Sequence, residues 1–143
     1  MFEKYTEKAR RVVFFARYEV NELGASAVAT EHLLLGLLRE DQTLISRFLP
    51  SSITVDRFRE QIKKRTTIRE RILKYREIPL SDESENILKS AVEEATHLSQ
   101  KQINVEHILL ALLREKNSLA AKILNENGVK YSVVHKEFEI AGN

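Results

Sequence analysis

The sequence predicts an all-α protein built from two tandem copies of one four-helix unit. Three observations carry this. The 143 residues include only four Gly and two Pro; Pro50 and Pro79 fall between periodic segments, and Leu, Ala, Glu, Lys and Arg dominate the rest. Apolar residues recur at spacings of three and four, the period of a helix face. The stretch TEHLLLGLLRE, Thr30 to Glu40, returns as VEHILLALLRE, Val105 to Glu115, an offset of 75 residues from His32 to His107. Slid by that offset, Thr6 falls on Ser81, Ala16 on Ala91, Glu19 on Glu94, Leu23 on Leu98, Leu44 on Leu119 and Leu49 on Leu124, with no gap. The chain is expected to form a single domain, 1–143: repeat 1 over about 1–65, a basic connector over about 66–78, and repeat 2 over about 79–143.

Each element has its own warrant. The first helix of each copy follows a hydroxyl cap, Thr6 before EKARRVVFFARYEVNEL and Ser81 before DESENILKSAVEEATHL. Ala9, Val12, Val13, Ala16, Val20 and Leu23 make one apolar stripe, and Ile87, Leu88, Ala91, Ala95 and Leu98 make its counterpart. Gly24 supplies a helix stop, and Ser99, in the matching place, a weaker one. The second helix is the duplicated stretch. It is apolar nearly all round and so belongs at the centre of the domain. Thr30 is expected to cap its first copy and Asn104 its second. Gly36 and Ala111 match and allow another helix close approach. Thr43 is expected to cap a short third helix, LISRFL, and Ser118 its partner, LAAKIL; Pro50 and Asn127-Gly128 end them. The fourth helices run over about 55–65 and 131–140.

The bulk composition excludes several functions. With no Cys there is no disulfide, thiol nucleophile or cysteine metal site. No apolar run approaches the roughly 20 residues that span a bilayer, and MFEKYTEKAR lacks a signal-peptide core. A soluble, cytoplasmic protein with no membrane association is expected. A net charge of +2 is too balanced to imply nucleic acid. The connector KKRTTIRERILKYREIP sets Lys63, Lys64, Arg65, Arg69, Arg71, Lys74 and Arg76 against Glu70 and Glu77. Its simplest reading is a solvated link, its sharper one a patch for an acidic partner; with Tyr75 as its only aromatic, nucleic acid is unlikely.

Phosphate loops, dinucleotide fingerprints and nucleophile elbows are absent, so no catalytic residue and no enzyme activity are expected. Adjacent Glu-His residues point about 100° apart on a helix and do not chelate one ion together, so neither metal nor cofactor is expected. His32 and His107 read as first-turn histidines bonded to neighbouring backbone. Glu31 and Glu106 lie where a helix dipole stabilises a carboxylate, typically by about 0.3–1 kcal/mol.

The stretches YTEKARRVVFFARYEVNELGASAVATEHLLLGLLRE and LSDESENILKSAVEEATHLSQKQINVEHILLALLRE resemble the two halves of the Clp amino-terminal domain, the recognition module of Clp-family AAA+ unfoldases, and are nearest the ClpC type. The resemblance covers essentially the whole chain. It implies two four-helix repeats related by a pseudo-twofold, and a protein-recognition role toward adaptor proteins or substrates for a Clp ATPase-protease, with the ATPase in cis or in trans. In some members each repeat holds a phosphoarginine. The matching residues here are Glu31 and Glu106 for the guanidinium and Thr6 near the phosphate of the first site, with Ser81 in the corresponding place of the second. The family's Gly-Thr before Glu-His is replaced by Ala29-Thr30 and Asn104-Val105, and its Leu-Gly-His by Leu23-Gly24-Ala25 and Leu98-Ser99-Gln100. The alternative reading is a free-standing Clp-repeat regulatory protein with no degron pocket.

Overall fold

A computed structural model describes residues 2–66 and 78–141. Eight helices lie among them: α1 (Glu7–Leu23), α2 (Thr30–Glu40), α3 (Gln42–Ser46), α4 (Val55–Arg65), α5 (Asp82–His97), α6 (Val105–Arg114), α7 (Leu119–Glu126) and α8 (Tyr131–Ala141). The connector expected over 66–78 lies, apart from its two ends, outside the described residues.

The helix starts follow from short polar side chains. The Thr6 and Ser81 hydroxyls accept the backbone N–H groups of Ala9 and Ser84, and Ser118 accepts that of Ala121, as the sequence predicts. Two other expectations are corrected. Thr30 does not cap α2: it is the first helical residue, and its hydroxyl accepts the Ala120 N–H at 3.3 Å, far along the chain. Nor does Thr43 cap α3. Asp41 accepts the Leu44 N–H, and Thr43 donates its hydroxyl to Asp41 at 2.8 Å. The Asp41 carboxylate starts the helix two residues earlier, which places Thr43 inside its first turn, and α3 stops at Ser46, short of Pro50. At the helix ends, Gly24 and Gly128 take positive φ of 73° and 82°, and Ser99 takes 59°, a left-handed conformation adopted there without glycine.

The centre of the domain is the duplicated helix. Leu33, Leu34, Leu35, Leu37 and Leu38 of α2 are buried, as are Ile108, Leu109, Leu110, Leu112 and Leu113 of α6. One core runs through both repeats. At Gly36, α2 meets α1 so closely that an added Cβ would lie 2.3 Å from the Val12 carbonyl oxygen and 2.8 Å from the Ala16 nitrogen. Ala111 fills the matching position of α6 with a buried methyl. Two buried carboxylates pin the ends of the central helices, Glu19 against Arg39 at 3.5 Å and Glu94 against Arg114 at 3.7 Å. Tyr131 also donates its hydroxyl to Glu94 at 2.8 Å.

The repeats are interlocked. Tyr5 bridges Ile103 and Val28 bridges Leu80, both in parallel. By the 75-residue offset, Tyr5 corresponds to Leu80 and Val28 to Ile103, so each bridge is the other with the repeats exchanged. Four backbone hydrogen bonds carry them: Thr6 N–H to Ile103 O (2.9 Å), Ile103 N–H to Lys4 O (2.8 Å), Ser81 N–H to Val28 O (3.0 Å) and Val28 N–H to Pro79 O (2.8 Å). This exchange is the pseudo-twofold that the resemblance implies.

Candidate functional site

Because the bridges cross, the segment leading into the first helix of each repeat lies beside the start of the second helix of the other. The four candidate residues therefore group across the repeats. Thr6 stands at the start of α6, donating its hydroxyl to Asn104 Oδ1 at 3.1 Å, and so belongs with Glu106 rather than Glu31. Ser81 is held to Val28, next to the start of α2, and so belongs with Glu31. The electrostatics agree: Glu83, two residues after Ser81, acts on Glu31, while Lys8, two residues after Thr6, acts on Glu106.

Both glutamates are half-buried. Burial pushes each carboxyl above its ordinary value, and the N–H of each residue's own backbone pulls part of the way back. At Glu31 the neighbouring Glu83 raises it further and the Thr30 hydroxyl lowers it. At Glu106, Lys8 and Arg47 lower it and Asp41 raises it. Glu106 Oε1 is buried and has no hydrogen-bond partner among the described residues. A carboxylate oxygen in that state is an acceptor with unused capacity.

The two histidines beneath them behave as the sequence predicts. His32 Nδ1 accepts the Ala29 N–H and His107 Nδ1 accepts the Asn104 N–H, each at 2.8 Å. Each imidazole thus performs the return half of a capping box, the role Glu or Gln usually fills. Both rings are buried, and burial drives their pKa down to about 4. They are neutral, with the proton on Nε2, because Nδ1 is an acceptor. Among the described residues no group of three His, Asp or Glu side chains could hold a metal ion, and no helix is long and apolar enough to cross a membrane.

A cleft of about 1160 Å³ opens beside the Thr6 site, lined by Glu3, Lys4, Thr6, Val92, Ala95, Thr96, Ser99, Gln100, Lys101, Gln102, Ile103 and Asn104. Val92 is among the exposed large apolar residues of the chain. Sequence reasoning named Thr6 and Asn104 as caps and missed that they face each other and end this cleft. Its one available signal was Val92, an apolar residue off the buried stripe of α5.

The comparisons with known proteins agree with this architecture. The family model described as the Clp repeat (R) N-terminal domain matches residues 4–127 and again 79–141. Among curated proteins, the ATP-dependent Clp protease ATP-binding subunit ClpA homolog of Cyanidium caldarium is 36% identical over 130 residues, covering 90% of this chain and 15% of that protein. Chaperone protein ClpC1 of Arabidopsis thaliana chloroplasts is 34% identical over 138 residues, covering 96% of this chain and 15% of that protein. The chain thus spans less than a fifth of the length of these relatives. Among solved structures, the N-terminal domain of the chaperone ClpD from Arabidopsis thaliana superposes with a TM-score of 0.76 at 28% identity, covering 99% of this chain and 98% of that one. The Hsp104 N-terminal domain from Candida albicans, at 19% identity, shares the fold with a TM-score of 0.75, covering 95% of this chain and 89% of that one. With a family model matching both interlocked repeats, the chain belongs to the Clp repeat N-terminal domain family.

Proposed function

We propose that the chain is a protein-recognition module that presents adaptor proteins and substrates, phosphoarginine-marked ones among them, to a Clp ATPase in cis or in trans, and carries out no chemistry of its own. The observation that supports this most is the duplicated helix start, where a half-buried carboxylate with a raised pKa sits beside a hydroxyl from the other repeat: Glu106 with Thr6, Glu31 with Ser81. A carboxylate complements a planar guanidinium through paired hydrogen bonds, and a helix start complements an anion. The cleft beside Thr6 gives room for the chain that carries such a group.

Calorimetric titration of phosphoarginine into the protein tests the reading. Saturable heat is expected, reduced by Glu31→Ala and by Glu106→Ala and abolished by the double variant. No heat with the parent protein removes the degron reading; binding that survives both substitutions places the ligand elsewhere.

A further inference from the structure

A second pair of equivalent clefts lies at the C-terminal ends of the central helices. In repeat 1 a cleft of about 640 Å³ includes the Glu19–Arg39 pair, and in repeat 2 one of about 690 Å³ includes Glu94 and Arg114. Their charges differ. The first mixes two carboxylates, Glu19 and Glu22, with Arg39, Arg59 and Lys63. The second sets Arg114, Lys116 and Lys130 against one carboxylate, Glu94. That carboxylate is already engaged. It is buried, takes the Tyr131 hydroxyl at 2.8 Å and lies 3.7 Å from Arg114.

Three exchanges between the repeats underlie the difference. By the 75-residue offset, His97 stands where repeat 1 has Glu22, and Lys116 where it has Asp41. The fourth helices start at Val55 and Tyr131, so Lys130 stands where Thr54 caps α4. Two of the exchanges remove a negative charge, and both lysines add a positive one. The local structure permits this at position 116. Asp41 caps α3 and pairs with Lys8, whereas in repeat 2 Ser118 caps α7 and leaves residue 116 no such duty. Lys116 and Lys130 are both exposed. The Lys130 ammonium donates to the neutral Asn125 carbonyl at 3.1 Å, and among the described residues neither lysine meets a carboxylate. Arg114, by contrast, is paired with Glu93 at 2.8 Å. The cleft of repeat 2 thus keeps positive charge that nothing within it balances.

We propose that the cleft between α5, α6 and α8 is a docking surface for an acidic segment of a partner protein, whose carboxylates pair with Lys116 and Lys130. It is separate from Glu31 and Glu106, and so goes beyond the recognition reading of the helix starts. Charge complementarity sets the sign of the occupant. The surroundings favour a peptide over a nucleic acid. The cations line one cleft rather than a stripe, and Tyr131 is no free stacking platform: its ring lies 5.5 Å from that of His135, and its hydroxyl is held by Glu94. Two hydrated ammonium groups on flexible stems give contacts that salt weakens readily.

The test is a site-resolved NMR titration of the 143-residue chain with N-acetyl-tetraglutamate amide, with inorganic phosphate and a thymidine tetranucleotide as rival probes. The amide signals of Leu113, Lys116 and Tyr131 report this cleft, those of Tyr18 and Arg39 its counterpart in repeat 1, and those of Glu31 and Glu106 the helix starts. Saturable shifts from tetraglutamate are expected in the first set alone, with affinity falling about fivefold between about 50 and about 300 mM NaCl. Combining Lys116→Asp with Lys130→Thr, the residues of repeat 1, should weaken binding about tenfold, the worth of two exposed ion pairs. The unperturbed bulk of the spectrum establishes that the double variant is folded. Equal shifts at Tyr18 and Arg39, shifts only at Glu31 and Glu106, or binding that survives the double variant would each overturn the proposal. So would the absence of any shift. Phosphate or the tetranucleotide binding as tightly as tetraglutamate overturns the peptide assignment. None of these outcomes bears on the phosphoarginine titration, so the two readings stand or fall separately.

Discussion

In the first repeat α2 crosses α1 at Gly36, where a Cβ would lie 2.3 Å from a backbone oxygen; in the second, the same position of α6 holds Ala111, whose methyl is fully buried. One topology therefore supports two helix separations, and the second crossing leaves room for a methyl that the first does not. The helix starts diverge in the same spirit. Ala29 leaves the start of α2 uncapped by a side chain, whereas Asn104 caps α6 and reaches Thr6 as well. The leucines between these points are equivalent in both copies. Duplication has kept the core and released the contacts around it.

The largest expected effect tests the equivalent part. Leu34→Ala and Leu109→Ala should each destabilise the protein by ~2–5 kcal/mol in urea unfolding, and by similar amounts. A large inequality would show that one repeat dominates the core. Gly36→Ala should cost about 3 kcal/mol, because the clash is with backbone and no side chain can swing away. Ala111→Gly should cost only about 1 kcal/mol in helix propensity, plus a small cavity. Equal costs would remove the asymmetry at the crossings.

Acid should act on both repeats alike. His32 and His107 titrate at about 4 in the folded protein against an ordinary 6.5. The unfolded chain therefore binds protons first, so this stability is fully present above about pH 6.5 and is lost as pH falls toward 4. The loss reaches at most about 3 kcal/mol for each ring. Glu31 and Glu106, raised by burial, act with the opposite sign, taking up protons earlier when folded and offsetting part of the loss at the low end. Urea midpoints between pH 7 and 4 should fall, and His32→Gln or His107→Gln should each flatten the curve by a similar amount. A flat parent curve would refute the buried neutral imidazoles.

The smallest expected difference separates the two hydroxyl caps. Ser81→Ala should cost about 1–2 kcal/mol, the worth of an N-cap together with the bond its hydroxyl donates to the buried Ser84 at 3.0 Å. Thr6→Ala should cost a similar amount, because it too removes a cap and one side-chain bond, the one to Asn104. Thermal unfolding of the two variants side by side measures the gap, and a much larger loss for Thr6→Ala would mean that the bond across the repeats outweighs the local one.

The helices were legible because their causes are local. Apolar spacing, hydroxyl or amide caps at Thr6, Ser81, Asn104 and Ser118, and glycine stops all act within a turn or two. Thr30 and Thr43 were misread for a related reason. The residue type announces a cap, but the partner decides, and Thr30 found Ala120 across the repeats while Asp41 caps the helix that Thr43 was expected to cap. The grouping of Thr6 with Glu106 depends on the crossed bridges. Those couple residues 98 and 52 positions apart, Tyr5 with Ile103 and Val28 with Leu80, which no local pattern records.

The crossed bridges bear on how such a chain can arise and change. A single repeat would carry two unpaired edges, each complementary to the other edge of an identical copy, which is the description of an isologous homodimer. Joining the copies turns that association into an intramolecular event, independent of protein concentration. It also ends a genetic constraint. A homodimer encoded once must repeat every residue at both of its sites, whereas a joined pair is free to place Ala29 at one and Asn104 at the other, so that one symmetric scaffold carries two unequal helix starts.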